Sequence, residues 1–176
     1  MGKIECILGP MFGGKSTELI RRCKRMISVG LEVVVVNHSL DTRNGTTNVV
    51  THDGIEMECL STSRLNFELL KPYDVVAIDE AQFFDSIADD IRVLSDDMGK
   101  HVIIAALSGD YKRDPWPGVD RIIALSDEII HCKALCVRCH RPAAFTKRHV
   151  PSDSRVVIGA DDKYSSVCRA CYNLKG

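Results

Sequence analysis

The chain contains no run of about 18 apolar residues, so no segment is suited to cross a bilayer as a helix. No leader is expected either. An apolar pattern begins at Lys3, leaving no room for a secretory signal, and a cytoplasmic location is the expectation. There is almost no net charge, −1 overall. That balance hides an asymmetry: residues 131–176 carry nine Lys and Arg against three Asp and Glu, while residues 1–130 carry a surplus of seven negative charges. A basic stretch suits nucleic acid, a phosphorylated ligand or a solvated face, and composition leaves all three open. The six histidines (His38, His52, His101, His131, His140 and His149) are scattered and form no metal-binding or catalytic constellation.

What is present describes a globular protein. The 176 residues are 45% hydrophobic and 27% charged, enough apolar mass for one core of ordinary size with a small appendage. In the expected reducing compartment, eight cysteines point to thiols and metal rather than disulfides.

Residues 9–16 read Gly9-Pro10-Met11-Phe12-Gly13-Gly14-Lys15-Ser16, the spacing G-x-x-x-x-G-K-S of a phosphate-binding loop. The glycines let successive backbone N–H groups turn inward around phosphates. Lys15 brings a cation to the β and γ oxygens, and the Ser16 hydroxyl can ligate Mg²⁺. The setting agrees. Residues 3–8 form a short apolar run that reads as a buried strand, and Leu19, Ile20, Cys23, Met26 and Ile27 recur at helical spacing. Strand, glycine-rich turn and helix together aim a helix N-terminus at an anion.

Buried strands are further expected at residues 32–38, 75–80 and 101–107, with a helix from Ile87 through Leu94 to Gly99 and a weaker strand pair at 46–51 and 55–59. The alternation implies an α/β fold whose parallel sheet is covered on both faces. Ligands of such sheets lie beyond the carboxyl ends of the strands, where the loops after Leu8, Ile78 and Leu107 meet. Asp79 and Glu80 end one of these strands. An acidic residue after four apolar ones fits a Mg²⁺-coordinating position, and the neighbouring Glu80 can take a proton from a hydroxyl or water.

Cys136-x-x-Cys139 and Cys168-x-x-Cys171 are two knuckles separated by 28 residues, able to give four thiolates to one tetrahedral zinc. With no position left for water, such a zinc is structural. Cys6, Cys23, Cys59 and Cys132 lack ligand spacing, and three of them lie in apolar patterns as small core residues.

These motifs, with Asp79-Glu80-Ala81-Gln82-Phe83-Phe84, Asp41-Thr42-Arg43, Thr51-His52-Asp53 and the stretch from Lys163 to Tyr172, resemble the type II thymidine kinase family along essentially the whole chain. The resemblance implies a RecA-like P-loop domain over residues 1–130. It also implies a zinc lobe over 131–176 carrying a lasso loop. It implies ATP and thymidine as substrates, Mg²⁺ with the ATP, structural Zn²⁺, feedback by thymidine triphosphate, a homotetramer, and neither nucleic acid nor membrane as partner. Glu80 becomes the base for the 5′-hydroxyl. The loop residues Gly9 to Ser16, with Asp41, Arg43, Asp79 and Gln82, hold the donor, Ser16 and Asp79 facing the Mg²⁺. Met11, Phe83, Leu107, Tyr111, Trp116, Thr146, Val157, Gly159 and Tyr164 enclose the nucleoside. Gly13, Ser108, Trp116 and Ala160 depart from the family pattern, which extends the expected substrates to deoxyuridine analogues. The rival reading of the motifs is a P-loop ATPase whose zinc ribbon grips nucleic acid.

Overall fold

The computed structural model describes residues 2–41, 48–50 and 54–174. The chain opens with β1 (Lys3–Gly9), α1 (Lys15–Ile27) and β2 (Val33–His38). Short strands β3 (Asn48–Val50), β4 (Glu56–Glu58) and β5 (Leu60–Thr62) follow, then α2 (Phe67–Leu70) and β6 (Val75–Asp79). A 3₁₀ turn at Ala81–Phe83 leads to α3 (Ile87–Arg92), whose last turn widens to π geometry over Val93–Asp97. β7 (His101–Leu107), α4 (Val119–Leu125) and β8 (Glu128–His131) complete the main body. Beyond it lie β9 (Ala134–Leu135), β10 (Pro142–Ala143), β11 (Phe145–Arg148), β12 (Tyr164–Val167) and α5 (Arg169–Asn173).

Six strands form one parallel sheet in the order β5-β2-β6-β7-β1-β8. The central strands β2, β6 and β7 read as apolar runs because both faces of the sheet are covered there. Alternate residues serve opposite sides. Ile4, Cys6, Leu8, Val76, Ile78 and Ile104 face Phe84, Ile87, Ile91, Leu94, Val119 and Ile122. Ile7, Val35, Ala77, Ile103 and Ala105 meet Leu19, Ile20 and Cys23 of α1. Each valine, leucine or isoleucine among them contributes about 1.5–3 kcal/mol on full burial. Cys6, Cys23 and Cys59 are buried in these clusters as free thiols.

Residues 119–131, to which the pattern reading assigns no element, form α4 and β8. Their apolar pattern is blurred because β8 is an edge strand, paired with β1 alone from Glu5↔Glu128 to Leu8↔His131, and Ile123 and Ile129 stay exposed. The expected strand pair before β5 is the short hairpin β3–β4, paired from Asn48↔Glu58 to Val50↔Glu56. Among the described residues, no helix is long and apolar enough to cross a membrane.

A separate small cluster gathers Ala134, Cys136, Ala143, Val167, Cys168 and Cys171, with Phe12 of the glycine-rich loop packed against it. β11 and β12 pair antiparallel, from Phe145↔Val167 to Arg148↔Tyr164. Residues 149–163 therefore leave and return at one place, as a closed loop.

Candidate active site

The turn after β1 is shaped by close approach and by backbone handedness. A Cβ on Gly9 would lie 2.8 Å from the Cys132 carbonyl oxygen, so only glycine fits there. Gly14 takes φ +76, in the left-handed region, and directly precedes α1. Lys15 is buried, and its Nζ donates to the Pro10 carbonyl at 2.8 Å. The Met11 N–H donates to Thr146 Oγ1 at 3.0 Å, tying this loop to β11.

Asp79, at the end of β6, is 3% exposed and hydrogen-bonded with Ser16. Burial, reinforced by the adjacent Glu80 charge, pushes its carboxyl up to about 6, while Ser16 and the Lys15 cation oppose the shift. A hydroxyl and a desolvated carboxylate at a phosphate-binding turn form an oxygen donor set that fits Mg²⁺. Glu80 follows in the left-handed region at φ 50, a strained conformation for a side chain of this size. Its backbone N–H donates to Asp79 Oδ1 at 3.0 Å, and its Oε2 accepts from Gln82 Nε2. Gln82 is buried, and its Oε1 accepts from the Leu107 N–H at 3.0 Å, so one amide joins the end of β6 to the end of β7.

These groups open into one cavity of about 310 Å³. Its lining includes the loop from Met11 to Ser16, Asp41, Asp79 and Glu80, together with Phe83, Leu107, Tyr111, Trp116, Thr146, Val157, Gly159 and Tyr164. Gly9, Pro10 and Gln82 stand behind this wall rather than on it. Arg43 and the Thr51-His52-Asp53 motif lie outside the described residues. Val49, Val50, Asp110, Arg155, Val156 and Ile158 also line the cavity. No local motif marks them, because each reaches the site through tertiary packing.

Trp116 meets Phe83 edge to face, with ring centroids 5.8 Å apart. Tyr164 fixes the lasso: its hydroxyl donates to the Val157 carbonyl at 2.9 Å and accepts from the Val157 N–H at 3.2 Å. In the C-terminal lobe the Sγ atoms of Cys136, Cys139, Cys168 and Cys171 lie within 4.8 Å of one another. Cys139 and Cys168 are 3.6 Å apart, near the ~3.8 Å edge of a tetrahedron with zinc–sulfur bonds of about 2.3 Å. Arg141 Nε, 3.5 Å from Cys139 Sγ, holds that thiol below its ordinary pKa. The donor set fits a closed structural zinc.

A family profile described as thymidine kinase matches residues 2–172. The chain belongs to the thymidine kinase family. It is 42% identical to thymidine kinase 1 of Dictyostelium discoideum, over 98% of this chain and 78% of that protein. It is 39% identical to the thymidine kinase of vaccinia virus (strain Ankara) and 38% to that of raccoon poxvirus, each over 97% of both chains. Membership of this family makes the chain an enzyme, a transferase of the kinase class.

Proposed function

We propose that this enzyme transfers the γ-phosphate of ATP to the 5′-hydroxyl of thymidine, giving the 5′-monophosphate, and accepts deoxyuridine analogues. The observation that supports this reading is the continuous lining of one cavity by P-loop groups, Glu80 and the residues of the β7–α4 loop and the lasso. A two-substrate transfer needs contiguous room for donor and acceptor, whereas a hydrolase needs only the donor half.

Phosphoryl transfer asks the protein mainly for positioning and charge stabilisation. The amides of residues 11–16 and the Lys15 ammonium take the donor phosphates at the N-terminus of α1. Glu80 accepts the proton of the 5′-hydroxyl, and Gln82 fixes its carboxylate by the hydrogen bond to Oε2. Phe83, Leu107, Tyr111, Trp116 and Tyr164 enclose the base and sugar, with lasso backbone at Val157 and Gly159 beside them. Asp41 lines the phosphate end, and the Asp41-Thr42-Arg43 motif assigns Arg43 the role of charge stabiliser for the transferring group. Mg²⁺, held by Ser16 and Asp79, supplies neutralisation of the phosphate oxygens when bound. Zn²⁺ on the four cysteines staples the lobe that carries the lasso. The same reading carries feedback by thymidine triphosphate, a homotetramer and a cytoplasmic location.

The test is ATP consumption measured with thymidine, with DNA and with neither. The expected result is turnover only with thymidine, yielding the monophosphate. Turnover stimulated by DNA and indifferent to thymidine would replace this reading with that of a nucleic-acid-dependent ATPase.

A further inference from the structure

Between the lasso and the loop after β7 lies an ion pair that the transfer reaction itself does not use. Arg155 Nε is 2.9 Å from Asp110 Oδ2. The same guanidinium donates through Nη2 to the Pro115 carbonyl at 2.6 Å and lies 4.4 Å from the centroid of Trp116. Three contacts of different kinds converge on one side chain: charge, hydrogen bond and cation–π. Asp110 is a prepared acceptor. It is 7% exposed, and its Oδ1 takes the N–H groups of Lys112 and Asp114, both at 2.9 Å, leaving Oδ2 for the arginine. Arg155 immediately precedes Val156 and Val157, and all three line the cavity.

We propose that Arg155 is a positioning residue that latches the lasso onto Asp110 and Trp116, closing the nucleoside half of the cavity. The proposal rests on the reading of that half as the thymidine site. Tyr164 holds the lasso to its own base through Val157, so it fixes the shape of the loop. Arg155 instead fixes where the loop sits on the α/β body. Holding the wall over Trp116 favours the closed, nucleoside-bound arrangement and leaves the phosphate end untouched. Breaking the latch therefore weakens nucleoside binding selectively.

The experiment compares wild type with Arg155→Met, Arg155→Lys and Asp110→Asn. The asparagine keeps the Oδ1 acceptor that shapes the loop and removes only the charge. Thymidine KM is expected to rise about three- to tenfold in Arg155→Met and Asp110→Asn, the range for a half-buried pair. ATP KM is expected to stay within about twofold, kcat to change less than thymidine KM, and Arg155→Lys to recover part of the loss. Trp116 is the single tryptophan, so its emission is a direct readout of the cover. Iodide quenching of the unliganded protein is expected to increase in Arg155→Met. Unchanged thymidine KM with unchanged quenching overturns the latch, as does an equal rise in both KM values. Failure of wild type to phosphorylate thymidine would sink the functional reading instead, and the quenching comparison would then judge the latch alone.

Discussion

Met11 and Thr146 join the two halves of the molecule: the Met11 N–H donates to Thr146 Oγ1 at 3.0 Å across 135 positions of sequence. Met11 belongs to the glycine-rich turn before α1, and Thr146, 4% exposed, belongs to β11 of the cysteine-rich lobe. Thr146→Val keeps the shape and removes the acceptor, leaving a part-buried N–H unsatisfied at a cost of about 1–3 kcal/mol. Both ATP and thymidine KM values are expected to rise together in steady-state assays, because the bond positions a residue common to both sides of the cavity. A rise in only one would separate the two halves.

Glu80→Gln is expected to lower turnover on the order of 100-fold or more, with ATP affinity nearly unchanged, as loss of a general base does. Gln82→Met preserves volume but removes the amide that orients Glu80 and leaves the Leu107 N–H without its partner. Its kcat is expected to fall about tenfold, less than for Glu80→Gln, since the proposed base survives but is no longer held. Single-turnover rates at saturating substrates compare the two, and full activity in Glu80→Gln would remove that residue from the role of base.

Cys136→Ser or Cys168→Ser removes one of four thiolates from a closed set. Zinc content measured by atomic absorption is expected to drop from one equivalent, with raised thymidine KM and increased proteolysis within residues 149–163. Chelation of the wild type should reproduce that pattern. Retained zinc with an ordered lasso would show that three sulfurs suffice.

Stability should depend on pH through Glu18. Hydrogen bonds from Arg21 and Arg22, at 2.6 and 2.8 Å, hold its carboxyl at about 2 rather than the ordinary 4.5. A depressed carboxyl stabilises the fold above its unfolded pKa and loses that contribution as pH falls towards the folded value. Glu18→Gln is expected to lower stability by about 1 kcal/mol at pH 7. The difference from wild type should persist down to pH 4.5 and shrink between there and about 2. Urea unfolding across that range measures it, and a gap independent of pH would remove the charge from the explanation.

Several of these features were open to reading in one dimension. The buried strands announce themselves as apolar runs, since a sheet covered on both faces demands them. The turn at Gly9 to Ser16 is local because backbone amides and one lysine do its work, and the C-x-x-C knuckles are local because two thiolates must leave one turn together. β8 and α4 were hidden for the opposite reason. An edge strand buries one face and leaves Ile129 exposed, so its pattern is faint.

By itself, then, the sequence determined the glycine-rich turn, the acidic strand end, the four sulfurs and the alternation that makes an α/β sheet. Each is set by neighbours within a few residues, through backbone geometry or side-chain spacing. The tertiary structure alone decided that Thr146 accepts from Met11, that Gln82 holds Glu80 while bonding Leu107, and that Arg155 meets Asp110 and lies over Trp116. Those pairings depend on where the sheet and the closed loop carry distant segments, and no local spacing encodes that.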